Sequence, residues 1–209
     1  MENSSLIRNI YLLRHTDPQN YRSNMQARCC IGGCTDVSLS NHGQIQAQKL
    51  KEYFDNKAID LIYSSPMKRC IETAKIIANQ KKRIVLTEQL REINMGAWEG
   101  LTFEEIRDQY QKVYDARGKD ILNIAPPGGE SFVDCAARVN RAFKSILENS
   151  HGNIIIISHA GANRTILSKL SETPLSDLLK IPQEYGCINH LYQDQNGKIL
   201  VKALNSTCL

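Results

Sequence analysis

No stretch of this sequence approaches the roughly twenty apolar residues that a membrane-crossing helix requires. Its continuous aliphatic runs, such as Ile154-Ile155-Ile156-Ile157, are strand-sized. The amino terminus, Met1 to Asn9, is polar, and its apolar run is too short for a signal peptide, so a cytoplasmic protein is expected. Charge of one sign is also missing. The 26 Lys and Arg residues are scattered among 22 Asp and Glu, for a net +4, so no clustered nucleic-acid footprint forms. A small anionic partner fits that balance equally well. Zinc-type cysteine pairing is absent too: Cys30 and Cys34 lie four apart, but no second Cys or His pair follows. Seven cysteines at irregular spacing read as free thiols in a reducing compartment. There is no internal repeat, and no carboxylate cluster suited to magnesium.

What is present is enough for one domain: 209 residues, 42% of them hydrophobic. Ile7 to Thr16 reads as a buried strand, Ile10-Tyr11-Leu12-Leu13, that stops abruptly at Arg14-His15-Thr16. A long polar loop, Asp17 to Asp36, follows. Ser40 then caps a helix with apolar positions at Ile45, Ala47, Leu50, Tyr53 and Phe54. The pattern predicts a strand at Ile59 to Tyr63, a helix from Pro66 to about Gln80, and a short strand at Ile84 to Leu86. Thr102 and Glu105 form a capping box for the next helix, and Pro126-Pro127-Gly128-Gly129 separates it from a helix within Glu130 to Asn149. Asn153 to Ser158 reads as a strand covered on both faces, followed by a helix after His159. Asn189 to Tyr192 and Ile199 to Ala203 read as strands joined by an Asn196-Gly197 hairpin. Alternating strands and helices predict a three-layer α/β/α sandwich around a mostly parallel sheet, with an antiparallel hairpin at its end.

Two predicted strands stop directly at a histidine, Leu13-Arg14-His15 and Ile157-Ser158-His159. If the strands are parallel, both rings lie at the same carboxyl edge, where open α/β sheets bind ligands. A third strand leads through Ser64-Ser65-Pro66 to Arg69, about one turn into a helix whose amino terminus favours anions. Arg14 adds a planar fork suited to phosphoryl oxygens. Such a receptor needs a proton donor. Glu92, in a loop after the third strand, is the candidate, with simple pairing to Arg91 or Arg14 as its alternative. Together these groups suit phosphoryl transfer through histidine, with no metal required: an imidazole attacks phosphorus, cations hold the equatorial oxygens, and a carboxylic acid protonates the leaving alkoxide.

At these residues the chain resembles the histidine phosphatase superfamily, the phosphoglycerate-mutase-like group, over nearly its whole length. The matching pieces are Leu13-Arg14-His15, Thr35 to Gly43, Ser64 to Arg69, Arg91-Glu92, Trp98-Glu99-Gly100, Pro127 to Ser131 and Ser158-His159. The resemblance implies a phosphoglycerate-mutase-like fold, 1–209 as one domain with a small helical cap inserted at about 100–128, and no cofactor. It implies His15 as the phosphorylated nucleophile, Glu92 as the acid and later base, and Arg14, Arg69 and His159 as the phosphate pocket. Asn20, Ser65 and Gly33 match positions that touch the phosphoryl group.

The sequence departs from the family pattern in two places. Thr16 replaces the usual glycine, and Pro18 a common threonine. Mutases carry an arginine and a histidine after the catalytic glutamate, where this chain has Ile93 and Asn94, and its cap lacks their paired arginines. Hydrolysis of a phosphate monoester is therefore expected, with a broad-specificity phosphatase or a cofactor-dependent phosphoglycerate mutase as alternatives. Gln183 to Asn189 and Ala203-Leu204-Asn205 most resemble α-ribazole phosphatases of cobalamin biosynthesis. The expected partner is a small phosphorylated metabolite, not nucleic acid or membrane; a homodimer is left open.

Overall fold

The computed structural model describes residues 7–19 and 29–208. Its centre is β4 (Ile154–Ser158), whose four isoleucines are wholly buried because helices cover both faces. β4 pairs in parallel with β1 (Arg8–Arg14) on one side and β2 (Leu61–Ser64) on the other, and β2 pairs in parallel with β3 (Ile84–Leu86). β5 (Ile188–Gln193) joins β1 antiparallel and β6 (Ile199–Ser206) joins β5, giving the order β3-β2-β4-β1-β5-β6. The sheet is mixed α/β, as expected.

Side-chain alternation along the strands separates two cores. Ile10, Leu12, Ile154 and Ile156 face α4 (Phe132–Glu148) and α5 (Ala160–Leu170). Tyr11, Leu13, Ile155 and Ile157 face α1 (Asn41–Asp55) and α2 (Lys68–Ala78). The kinked helix α3 (Phe103–Lys119) packs Ile106 with Trp98 and Cys30 in a smaller cluster of its own. Among the described residues, no helix is long and apolar enough to cross a membrane.

Local signals set most boundaries. Ser40 caps α1 through the Gly43 amide, and Thr102 with Glu105 and Ser131 with Asp134 form capping boxes for α3 and α4. Two boundaries differ from expectation. Strand β2 begins at Leu61 because Ile59 closes a tight turn onto Lys57. Helix α2 begins at Lys68, not Pro66, because its first amide is capped from a distance by Asp36 while Ser65 turns inward. The hairpin is longer than a two-residue turn: Asp194 accepts from the Asn196 and Lys198 amides, and Gly197 adopts positive φ.

Candidate active site

Parallel register brings the two histidines together. Arg14 on β1 stands opposite Ser158 on β4, so His15 and His159 leave the sheet at one level, and the His15 amide donates to Ser158 O at 3.0 Å. Ser64 stands opposite Ile157, and the Ser65 amide donates to Ile157 O at 2.9 Å, which adds the end of β2 to the same edge. The imidazole centroids lie 5.1 Å apart, and both rings are buried.

His15 Nδ1 lies 2.8 Å from Thr16 O. A carbonyl only accepts, so the proton sits on Nδ1 and the lone pair is left on Nε2. This contact uses the Thr16 backbone, which explains why a side chain is tolerated where glycine is usual. Thr16 Oγ1 meets Thr73 Oγ1 at 3.2 Å, and Gly186 leaves room for its methyl, since a Cβ at Gly186 would come within 3.3 Å of Thr16 Cγ2. Pro18 is accommodated similarly. It bridges to Leu39, and the flanking Gln19 and Ser40 supply the N–H donors.

Burial, then the charges of Arg69 and Arg14, holds the His15 imidazole well below its ordinary pKa; only the Thr16 contact opposes. Burial, then Arg69, His15 and Arg14, does the same to His159. Both rings are therefore neutral near pH 7. His159 Nε2 lies 2.8 Å from Ser65 Oγ and 3.4 Å from Cys70 Sγ, whose thiol burial pushes up to about 12.

The cations are held by backbone oxygens rather than carboxylates. Arg69, 1% exposed, donates from Nη1 to Thr35 O and from Nη2 to Gly32 O, each at 2.9 Å. Arg14 donates from Nη1 to Gln183 O at 2.6 Å and stacks with its guanidinium carbon 3.6 Å from the Tyr185 ring centroid. Its Nε is buried without a partner among the described residues. Because no carboxylate among the described residues forms an ion pair with either, these guanidinium groups retain charge for an anion.

Glu92 reaches the edge from the loop after β3, and it is not spent on pairing Arg91 or Arg14. Its Oε1 accepts from the Ile93 and Ala162 amides and its Oε2 from the Gly161 amide, all at 3.0 Å, which places the carboxyl at the start of α5 beside His159. Gly161 permits this approach, because a Cβ there would meet Glu92 Oε1 at 2.6 Å.

Of the predicted site residues, His15, Arg14, Arg69, Ser65, His159 and Glu92 gather at this edge. Asn20 lies outside the described residues. Gly33 needs correcting: its amide donates to Ile93 O at 2.9 Å, so it braces the Glu92 loop and is not a free donor for phosphate. Four supporting residues escaped the sequence reading. Glu99 gathers the amides of Gly32, Cys34, Thr35 and Met95, fixing the loop that holds Arg69. Arg138 on α4 donates to the carbonyls of Gln89, Arg91 and Glu92 and pairs with Glu130 at 2.7 Å. Tyr185 covers Arg14. Glu99, Glu130 and Tyr185 sat inside segments already singled out; Arg138 carried no local marker. All seven cysteines are free, with Cys34 Sγ donating to Asn94 Oδ1 at 3.3 Å.

Comparison with known proteins agrees with this geometry. The family profile of the histidine phosphatase superfamily (branch 1) matches residues 10–206. Phosphoserine phosphatase 1 of Hydrogenobacter thermophilus is 28% identical over 179 residues, 84% of each chain. The 6-phosphofructo-2-kinase/fructose-2,6-bisphosphatase of Gallus gallus is 33% identical over 193 residues; the match takes in 86% of this chain but only 38% of that protein's length. The solved α-ribazole phosphatase from Shigella flexneri superposes with a TM-score of 0.84 at 24% identity, covering 95% of this chain and 96% of that one.

Proposed function

The chain belongs to the histidine phosphatase superfamily, and from that premise we propose that it hydrolyses small phosphate monoesters through a phosphohistidine on His15, without a metal ion. The observation that carries this reading is the His15 ring held with Nδ1 on Thr16 O, so that the lone pair stays on Nε2, beside His159 and the cations Arg14 and Arg69; burial, then their charge, lowers its pKa. The Nε2 lone pair attacks phosphorus and the P–O ester bond breaks. Arg14 and Arg69 offset the charge on the equatorial oxygens. Glu92 gives its proton to the departing alkoxide, then takes one from the water that attacks the phosphohistidine; the P–N bond breaks and phosphate leaves.

The supports for substrate choice are unequal. The segment resembling α-ribazole phosphatases is structural: Gln183 and Asn189 bond each other, and Asn205 bonds Asn189 and the Glu184 amide. That segment braces the loop carrying Tyr185, so α-ribazole 5′-phosphate rests on family resemblance, and phosphoserine is its rival. The mutase alternative loses support. Ile93, where mutases have arginine, is buried in the core against α4 and α5, and the Asn94 side chain is occupied by the Gly96 amide and Cys34. The test is a panel of monoesters containing α-ribazole 5′-phosphate, phosphoserine and 3-phosphoglycerate, assayed with a chelator present. Release of phosphate undiminished by chelation supports the proposal. Loss of all turnover on chelation, or isomerisation of 3-phosphoglycerate in place of hydrolysis, overturns it.

A further inference from the structure

Away from the sheet edge, a cavity of about 360 Å³ opens between α3, the start of α4 and the turn Leu175–Lys180. Met95, Trp98, Phe103, Tyr114 and Phe132 line it, and its charged member is Arg117 on α3. Arg117 is 6% exposed. Its guanidinium carbon lies 5.5 Å from the Phe132 ring centroid and 6.0 Å from that of Trp98, and its hydrogen bond among the described residues is from Nη1 to Ile124 O. No carboxylate pairs with it among those residues. Trp98 Nε1 is also buried without a partner among the described residues.

A buried cation without a counter-charge is costly, and so is a buried N–H without an acceptor. Trp98 and Arg117 both line the same apolar space, and the Arg117 guanidinium is its positive donor. What completes that cation must therefore bring acceptor oxygens and negative charge on an apolar body. A carboxylate suits the planar fork, and the volume suits a single ring or short acyl chain. We propose that this cavity is a second ligand site, which takes a small organic carboxylate with an apolar body and holds it on Arg117 between the Trp98 and Phe132 rings.

Trp98 is the chain's single tryptophan, so its fluorescence reads occupancy directly. Cyclohexanecarboxylate, which does not absorb in that range, is titrated into the intact protein, with neutral cyclohexanecarboxamide as control. A saturable change is expected for the acid. The amide should bind at least about tenfold more weakly, Arg117→Met should weaken the acid by a similar factor, and saturating inorganic phosphate should leave both unchanged. No saturable change, equal binding of acid and amide, or displacement by phosphate would overturn the proposal. The acid–amide comparison uses wild-type protein, so it decides even if Arg117→Met fails to fold; Arg117→Lys, retaining charge, should keep part of the preference. None of these outcomes depends on His15 chemistry.

Discussion

The two halves of the active site are held in different ways. His15, Ser65 and His159 sit at the ends of hydrogen-bonded parallel strands, so sheet register alone sets them side by side. Glu92 sits in a loop whose carbonyls are gathered by Arg138, nearly fifty residues later in sequence, and whose carboxyl is caught by the α5 amides. One half is placed by backbone pairing. The other depends on a few long-range polar contacts, and it should yield first when side chains are changed.

The largest expected effect lies on the strand side. His15→Ala removes the nucleophile and should lower kcat by at least ~10³-fold without changing the fold, read by phosphate release and circular dichroism. Next, Glu92→Gln should slow alkyl phosphates by about 10²–10⁴-fold but nitrophenyl phosphate much less, because nitrophenolate hardly needs a proton. Equal slowing would give Glu92 a structural role and erase the distinction between the halves.

Arg138→Met sharpens the comparison. It strips three carbonyls and Glu130 of their partner, and should cost about 2 kcal/mol in urea unfolding. It should also reproduce, about tenfold in size, the leaving-group selectivity of Glu92→Gln. Uniform slowing of all esters would mean that the loop does not act through Glu92.

The smallest expected effect is in pH. His159 stays neutral in the fold, whereas in the unfolded chain it titrates near the ordinary 6.5. Below about pH 6.5 the unfolded chain binds a proton that the folded state excludes, so stability falls as pH drops, by up to about 1.4 kcal/mol per unit for this ring. Above that pH its contribution is constant. Wild type should therefore lose more stability than His159→Asn between pH 7 and 5.5; identical losses would show an ordinarily titrating imidazole.

The same division explains what was legible in the sequence. Arg14-His15 and Ser158-His159 announce themselves because an aliphatic run ends at a titratable group, and a parallel sheet turns two such endings into one site. The capping residues Ser40 and Thr102 were legible for a similar local reason; the Ser131 cap was not read, because the helical pattern was traced from Glu130. Arg138 was not, because an arginine on a helix gives no sign of which distant carbonyls it will meet. Gly33 was misread as a phosphate donor because sequence position cannot show that its amide is spent on Ile93. Thr16, an unexplained departure in the sequence, became intelligible once its backbone carbonyl, not its side chain, was seen to orient His15.

The most direct measurement is rapid quenching of the enzyme with a monoester labelled in its phosphorus, followed by mapping of the bound label. The expected result is an acid-labile, base-stable phosphoryl group on His15 that forms and decays at rates compatible with turnover, and is absent from His15→Ala. Label on another residue, or full turnover by His15→Ala, would contradict the proposed mechanism.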